Sequence, residues 1–99
     1  MNNRHKKSGE DFPALRDFLR GYFHEDCIDE YGSLEGAARQ FVKDADQAQG
    51  KALANEWEKF VELMGKSPLE KINEALLGMG SGCEFSSVDE IQKVTKALR

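Results

Sequence analysis

The sequence predicts an all-α fold, a compact bundle of about five short amphipathic helices. Apolar side chains recur at spacings of three and four residues in several segments, which is the pattern of one buried helical face. No segment alternates with a sustained period of two, and β-branched residues are scarce. A chain of 99 residues fits one modest core. We expect a flexible basic leader over residues 1–10 and a single helical domain over residues 11–99.

The first two predicted helices have clear starts. Pro13 suits the first position of a helix over about 13–22, because its missing N–H has no intrahelical partner there. The apolar face of this helix consists of Leu15, Phe18, Leu19 and Tyr22. Ser33 is a favourable N-cap for a second helix, whose apolar stripe runs over 34–45.

The third helix is predicted over about 51–65, with Trp57 on its buried stripe as a core residue and Gly65 as the C-cap. A fourth helix begins at Ser67-Pro68-Leu69-Glu70, where serine and glutamate have capping-box spacing, and it ends at Gly78.

The last helix is predicted to follow a glycine-rich loop. Residues 78–82 form a flexible connection, after which Cys83 and Phe85 are expected to fold back on the core. Ser87 and Glu90 repeat the capping-box spacing and start the final helix.

The charge distribution favours a basic protein partner. The net charge is −4, and without Arg4, Lys6 and Lys7 the remaining chain carries 11 basic and 18 acidic side chains, a balance of −7. This argues against nucleic-acid binding, which requires clustered Lys and Arg. No apolar run is long enough to span a membrane, and no secretory signal is evident, so we expect a cytoplasmic protein.

The segment over residues 22–31, which we call the acidic corner, joins aromatic and acidic side chains between the first two helices. It is either a solvated connection or a protein-binding surface with aromatic anchors and a charged rim. The candidate partner-binding residues are Tyr22, Phe23, His24, Glu25, Asp26, Asp29, Glu30 and Tyr31. A secondary candidate is the outer face of the third helix, with Asn55, Glu58 and Glu62.

Metal and thiol chemistry are weaker alternatives for the same corner. Asp26, Asp29 and Glu30 offer oxygens to a cation, but the spacing is not that of a calcium loop. Cys27 lies near His24, yet its acidic neighbours would raise the pKa of the thiol. We predict no metal, no cofactor and no catalytic residue, and we expect Cys27 and Cys83 to be reduced and structural.

The run from Phe12 to Asp26, continued by Tyr31-Gly32-Ser33 and the helix after it, resembles the immunity proteins of contact-dependent growth inhibition and related polymorphic toxin systems. These are small helical proteins with a Phe-Pro-x-Leu…Phe-Leu…Tyr-Phe-His-x-Asp pattern. Two positions depart from it: Cys27 stands where a Trp is frequent, and Glu25 where a Gln is frequent.

The resemblance implies a non-enzymatic inhibitor that binds the C-terminal effector domain of one cognate toxin in the cytoplasm. Many such effector domains are nucleases with basic substrate sites. Monomeric binding is the favoured state. The alternatives are a helical adaptor without a toxin partner, which would present an exposed apolar groove, and a small metal-dependent or thiol enzyme.

Overall fold

The computed structural model describes residues 12–99, which form six α-helices and no β-strand. The predicted leader over 1–10 lies outside the described residues. The all-α prediction is confirmed, and one short helix that was not predicted lies between the first two predicted helices. The helices are α1 (Pro13–Tyr22), α2 (Cys27–Tyr31), α3 (Leu34–Asp44), α4 (Gln47–Met64), α5 (Leu69–Gly78) and α6 (Val88–Leu98).

Local capping groups explain most of the helix starts. Pro13 opens α1, and the Ser33 hydroxyl accepts a hydrogen bond from the backbone N–H of Gly36 at the start of α3. Helix α4 begins four residues before the predicted position, because Asp46 and Gln49 form a reciprocal capping box. Gly65 ends α4 with a positive φ of 47°, as predicted.

The two predicted serine capping boxes have different outcomes. The box at Ser67 is wrong: Pro68 is the N-cap residue of α5, and no side chain caps this helix. At α6 the Ser87 hydroxyl accepts from the N–H of Glu90, as predicted. The Glu90 carboxylate accepts instead from the N–H of Ser86 at 2.6 Å, one residue earlier than the box requires.

The core is one apolar cluster to which every helix contributes. Helix α1 packs against α3 and α4, and α6 lies between α3 and α4 on another side of the core. Trp57 is buried as predicted, and its ring N–H donates to the Thr95 hydroxyl at 2.8 Å. The backbone N–H of Leu15, in the first turn of α1, donates to the Glu56 carboxylate of α4. This bond satisfies a donor that the start of a helix leaves without a partner.

Residues 79–86, which we call the return segment, fold back on the core between α5 and α6. The side-chain amide of Asn73 accepts from the N–H of Phe85 and donates to its carbonyl, at 2.8 and 2.9 Å. Phe85 and Ser81 are buried. The return of Cys83 and Phe85 to the core is therefore confirmed, and the glycine-rich loop is held by specific hydrogen bonds.

None of the helices within residues 12–99 is both long and apolar enough to cross a membrane.

Candidate functional site

The acidic corner is a defined turn between α1 and α3. The N–H of Phe23, the C-cap residue, donates to the carbonyl of Leu19 and continues the helical hydrogen bonding of α1 by one residue. The N–H of Cys27 then donates to the carbonyl of His24, and α2 follows. Gly32 ends α2 with a φ of 86°, a conformation that suits glycine. The corner therefore has a fixed backbone path.

His24 holds the corner together through both ring nitrogens. Its Nδ1 accepts from the backbone N–H of Asp26 at 3.2 Å, and its Nε2 lies 2.9 Å from a carboxylate oxygen of Glu30. Because Nδ1 is an acceptor, the proton of a neutral ring lies on Nε2 and points at Glu30. The Asp26 side chain makes no capping bond to α2. His24 therefore positions the corner.

The carboxylates of the corner face solvent. Glu25, Asp26, Asp29 and Glu30 are exposed, whereas Tyr22, His24 and Tyr31 are half-buried. The rings of Tyr22 and Tyr31 stack with their centroids 5.8 Å apart. Seven of the eight candidate residues are thus at least partly exposed to solvent.

Phe23 is the exception and corrects the sequence-based prediction of an aromatic anchor. Its exposed fraction is 0%. Its side chain points into the core, where its ring centroid lies 4.8 Å from that of Phe18 and 5.9 Å from that of Phe85. Phe23 therefore packs beneath the corner as a core residue and is not accessible to a partner.

Asp44 on α3 belongs to the same aromatic surface, although the sequence analysis did not include it. The Tyr22 hydroxyl donates to Asp44 at 2.6 Å, and the Gln40 amide donates to its other oxygen at 2.9 Å. These bonds lower the pKa of Asp44, and the bond to the carboxylate raises the pKa of Tyr22 to about 12. Since 22 residues separate the pair, no local spacing signals it.

Cys27 and Cys83 lie together beneath the corner, and no disulfide bond joins them in this structure. Their sulfur atoms are 2.7 Å apart, and the Cys83 thiol donates to the carbonyl of His24 at 2.9 Å. Burial raises the pKa of the Cys27 thiol to about 12. The position that carries Trp in similar sequences is therefore interior here, and the thiol has no activating base, because both His24 nitrogens are engaged elsewhere.

Across residues 12–99, no three side chains of the His, Cys, Asp and Glu types are grouped so that they could hold a metal ion.

The secondary candidates lie on a different surface. Asn55, Glu58 and Glu62 line a shallow depression of about 410 Å³ between α4 and α6, together with Thr95 and Arg99. Asn55, Glu58 and Glu62 are exposed, and Arg99 brings a positive charge to the depression. The structure joins these three residues to one another but not to the acidic corner.

Two further concave surfaces contain apolar residues. A groove of about 390 Å³ between α4, α5 and α6 is lined by Phe60, Met64, Ile72, Val88 and Ile91. A cleft of about 320 Å³ between α1, α3 and α4 is lined by both Tyr22 and Asp44, so it adjoins the acidic corner.

Comparison with known proteins decides the family. A family model described as CdiI immunity protein matches residues 11–93, which include the acidic corner and most of the helical bundle. The chain belongs to the CdiI immunity protein family. No match was found among curated proteins or among solved structures. Membership of the CdiI immunity family implies that the chain neutralises a protein toxin, and it confirms the resemblance drawn from the run over residues 12–33.

Proposed function

We propose that this CdiI immunity protein binds the C-terminal effector domain of its cognate toxin through the acidic corner, and that the effector domain is a nuclease. The observation that carries the proposal is the set of four exposed carboxylates, at Glu25, Asp26, Asp29 and Glu30, on a turn that His24 holds in place. The partly exposed rings of Tyr22 and Tyr31 border them.

Electrostatics supports a basic partner. The chain from residue 8 onward has a net charge of −7. Opposite charge on two proteins accelerates their encounter and selects against partners of the wrong sign. A nuclease is such a partner, because it must attract phosphates to its active site with positive charge.

The immunity protein inhibits the toxin by occupying its active site. Carboxylates of the corner lie where substrate phosphates would lie, and the bulk of the bundle keeps nucleic acid away from the site. The immunity protein performs no chemistry and needs no cofactor. It acts as a monomer in the cytoplasm, one molecule per toxin, and does not bind nucleic acid.

The residues of the corner divide into two roles. Glu25 and Asp29 are exposed and make no side-chain bond within residues 12–99, so they are free to pair with Lys or Arg of the toxin. His24 and Glu30 hold the geometry through their own contact. Tyr22 and Tyr31 supply the apolar edge that excludes water from the ion pairs.

One observation favours a second contact surface. The groove between α4, α5 and α6 is apolar and open, which is the feature expected of a helical adaptor. Val88 at its edge is 56% exposed. Family membership favours the toxin as the partner, but the groove is the alternative place for an interface.

Co-expression with the effector domain encoded immediately upstream tests the proposal. We expect a one-to-one complex after purification and restored growth of the cells. A complex that forms without protection, or protection without a complex, would contradict the proposed mechanism.

Two charge-changing variants, one at the acidic corner and one at the apolar groove, distinguish the two candidate interfaces. Glu25→Lys combined with Asp29→Lys reverses charge at the corner and leaves the His24–Glu30 contact intact. Val88→Lys places a charge at the edge of the apolar groove. The corner variant should weaken binding and Val88→Lys should not, and the reverse result would assign the interface to the groove.

A further inference from the structure

The cleft between α1, α3 and α4 combines aromatic walls with a negative rim. Phe18, Tyr22 and Phe41 form its apolar side, and small alanines from α1 and α4 leave it open. The rings of Tyr22 and Phe41 meet edge to face, with centroids 5.5 Å apart. Phe18 is buried, and Phe18 and Tyr31 stack on the two faces of Tyr22, so the half-buried Phe41 is the ring of this cleft of about 320 Å³ that is left for a partner beside the carboxylates.

The rim of the cleft carries negative charge. Asp17 from α1 and Asp44 from α3 both line the cleft, and no Lys, Arg or His does. Asp17 makes no hydrogen bond or ion pair with any of residues 12–99. Asp44 remains ionised over a wide pH range, because the bonds from Tyr22 and Gln40 lower the pKa of its carboxyl group. These carboxylates can therefore pair with a cationic side chain of a partner.

The other concave surfaces of the described residues differ in composition. The apolar groove has Lys96 and Arg99 in its lining, and the depression beside Glu58 contains Lys59 and Arg99. A polar hollow beside Glu70 and Glu84 has no aromatic wall. Among these concave surfaces, the cleft at Tyr22 is the one that combines carboxylates with aromatic rings.

We propose that this cleft receives an arginine side chain of the toxin's effector domain, which packs against Phe41 and pairs with Asp17 and Asp44. The inference rests on the proposed function and names one contact within it. Arginine fits better than lysine, because its planar guanidinium stacks on a ring and donates to two carboxylates at once.

Tyr22 makes the cleft continuous with the acidic corner. Its ring lines the cleft and also stacks on Tyr31 of the corner. One partner surface can therefore place an arginine in the cleft while its other basic residues meet Glu25 and Asp29.

A titration with a capped amino acid tests the chemistry of the cleft without the toxin. The probe is N-acetyl-argininamide, followed by ¹H–¹⁵N NMR, and its uncharged analogue N-acetyl-citrullinamide is the matched ligand control. We expect saturable shifts at Asp17, Tyr22, Phe41 and Asp44 with the arginine probe only. In Asp17→Asn these shifts should be largely lost. Shifts scattered over all acidic surfaces, or unchanged shifts in Asp17→Asn, would overturn the proposal.

Affinity for the effector domain provides the second test. Asp17→Asn removes the unpaired charge, and Ala52→Leu fills the cleft from α4. Each should weaken the complex by about tenfold, as for the loss of one charged contact at an interface. The control is Asp89→Asn on α6, which makes the same change of charge outside the cleft.

The outcomes separate this inference from the proposed function. If the wild type binds the effector domain and both cleft variants bind equally well, the arginine site is wrong and the proposed function stands. If the wild type does not bind at all, the proposed function fails and the inference fails with it.

Discussion

Tyr22 links the acidic corner to the body of the molecule. Its ring stacks between those of Phe18 and Tyr31, with centroid distances of 5.7 and 5.8 Å. Its hydroxyl donates to Asp44 at 2.6 Å. The bond raises the pKa of the tyrosine to about 12 and lowers that of the aspartate. A single side chain thereby couples the end of α1 to the end of α3.

Replacing Tyr22 with Phe should lower the free energy of unfolding at neutral pH and remove a pH dependence. The folded pKa of Asp44 lies below its ordinary value of 3.8, so its stabilising effect is complete above that value and is lost as the pH falls through the folded pKa. The difference in unfolding free energy between wild type and variant should therefore be smaller at about pH 3 than at about pH 7. Urea denaturation at both pH values measures it.

Tyr31→Phe is the matched control, because the Tyr31 hydroxyl donates no hydrogen bond within residues 12–99. It should change stability little at either pH. An equal loss in both variants would mean that the bond to Asp44 contributes nothing specific.

The Cys27 thiol should resist alkylation in the folded protein. Burial raises the pKa of this thiol well above pH 8, so very little of the reactive thiolate is present, and the side chain is fully buried. We expect iodoacetamide to leave Cys27 unmodified in native protein and to modify it in urea, as peptide mass spectrometry would show. Rapid native alkylation would reopen the thiol-enzyme alternative.

At the level of single residues, the sequence predicted which charged side chains are exposed better than it predicted which way an aromatic side chain points. The four acidic residues of the corner are exposed, as a charged turn requires. Phe23 was a candidate contact residue, to act as an anchor if exposed, and it is interior, because the orientation of a side chain after a helix depends on a backbone path that the sequence pattern does not show. Asp44 was missed since its role exists only through a contact with Tyr22 in space.

Among the elements, α2 and the return segment determine the shape of the corner. Helix α2 has five residues, too few to display a helical period in the sequence. The return segment lies against it: the N–H of Gly82 donates to the carbonyl of Phe23 at 2.6 Å. A Cβ atom at Gly82 would lie 2.7 Å from the backbone nitrogen of Glu25. Only glycine permits this approach of two backbones.

Gly82→Ala should therefore destabilise the protein and disturb the corner. The added methyl group meets backbone atoms that cannot move alone, and we expect a loss of about 1–3 kcal/mol in the free energy of unfolding. Gly50→Ala is the control within α4, where a Cβ meets nothing within 4 Å. It should raise stability by about 0.5–1 kcal/mol through helix propensity.

Thermal and urea denaturation would compare the two glycine variants, and NMR shifts of Glu25 and Asp26 would report on the corner. If Gly82→Ala were as stable as Gly50→Ala, the return segment would not position the corner as described.

The helix boundaries show which local signals are reliable. Ser33, Ser87 and Pro13 marked the starts of three helices correctly, because their side chains act on the adjacent backbone. Helix α4 starts at Gln47 in place of residue 51, since an aspartate–glutamine box also caps a helix. At Ser67 the sequence has the spacing of a capping box, but Pro68 is the N-cap residue of α5. The serine therefore lies outside the helix and does not cap it.

For the whole molecule, the fold class could be predicted from the helical periodicity of apolar residues. The function depends on which exposed side chains share a surface. The apolar stripes must be buried together in a chain of this size, so the bundle was predictable from the sequence. Exposed carboxylates occur on most helices, and the sequence alone could not tell which of them share a surface. The cleft beside Tyr22 was not predicted for the same reason: α1, α3 and α4 form it jointly.

Long-range electrostatics should control the rate of toxin binding. An acidic protein approaching a basic effector domain associates faster at low ionic strength, because salt screens the attraction. Raising salt from about 0.05 to 0.5 M should slow association much more than it changes dissociation. Association that is insensitive to salt would point to the apolar groove as the contact surface.

The most direct test of the central claim is the association rate of the purified effector domain with the wild type and with the Glu25→Lys/Asp29→Lys variant, measured by stopped-flow at low salt. We predict that reversing these two charges slows association by about tenfold or more and weakens the complex. Equal rates and equal affinity, with both proteins folded, would contradict the claim that the acidic corner is the toxin-binding surface.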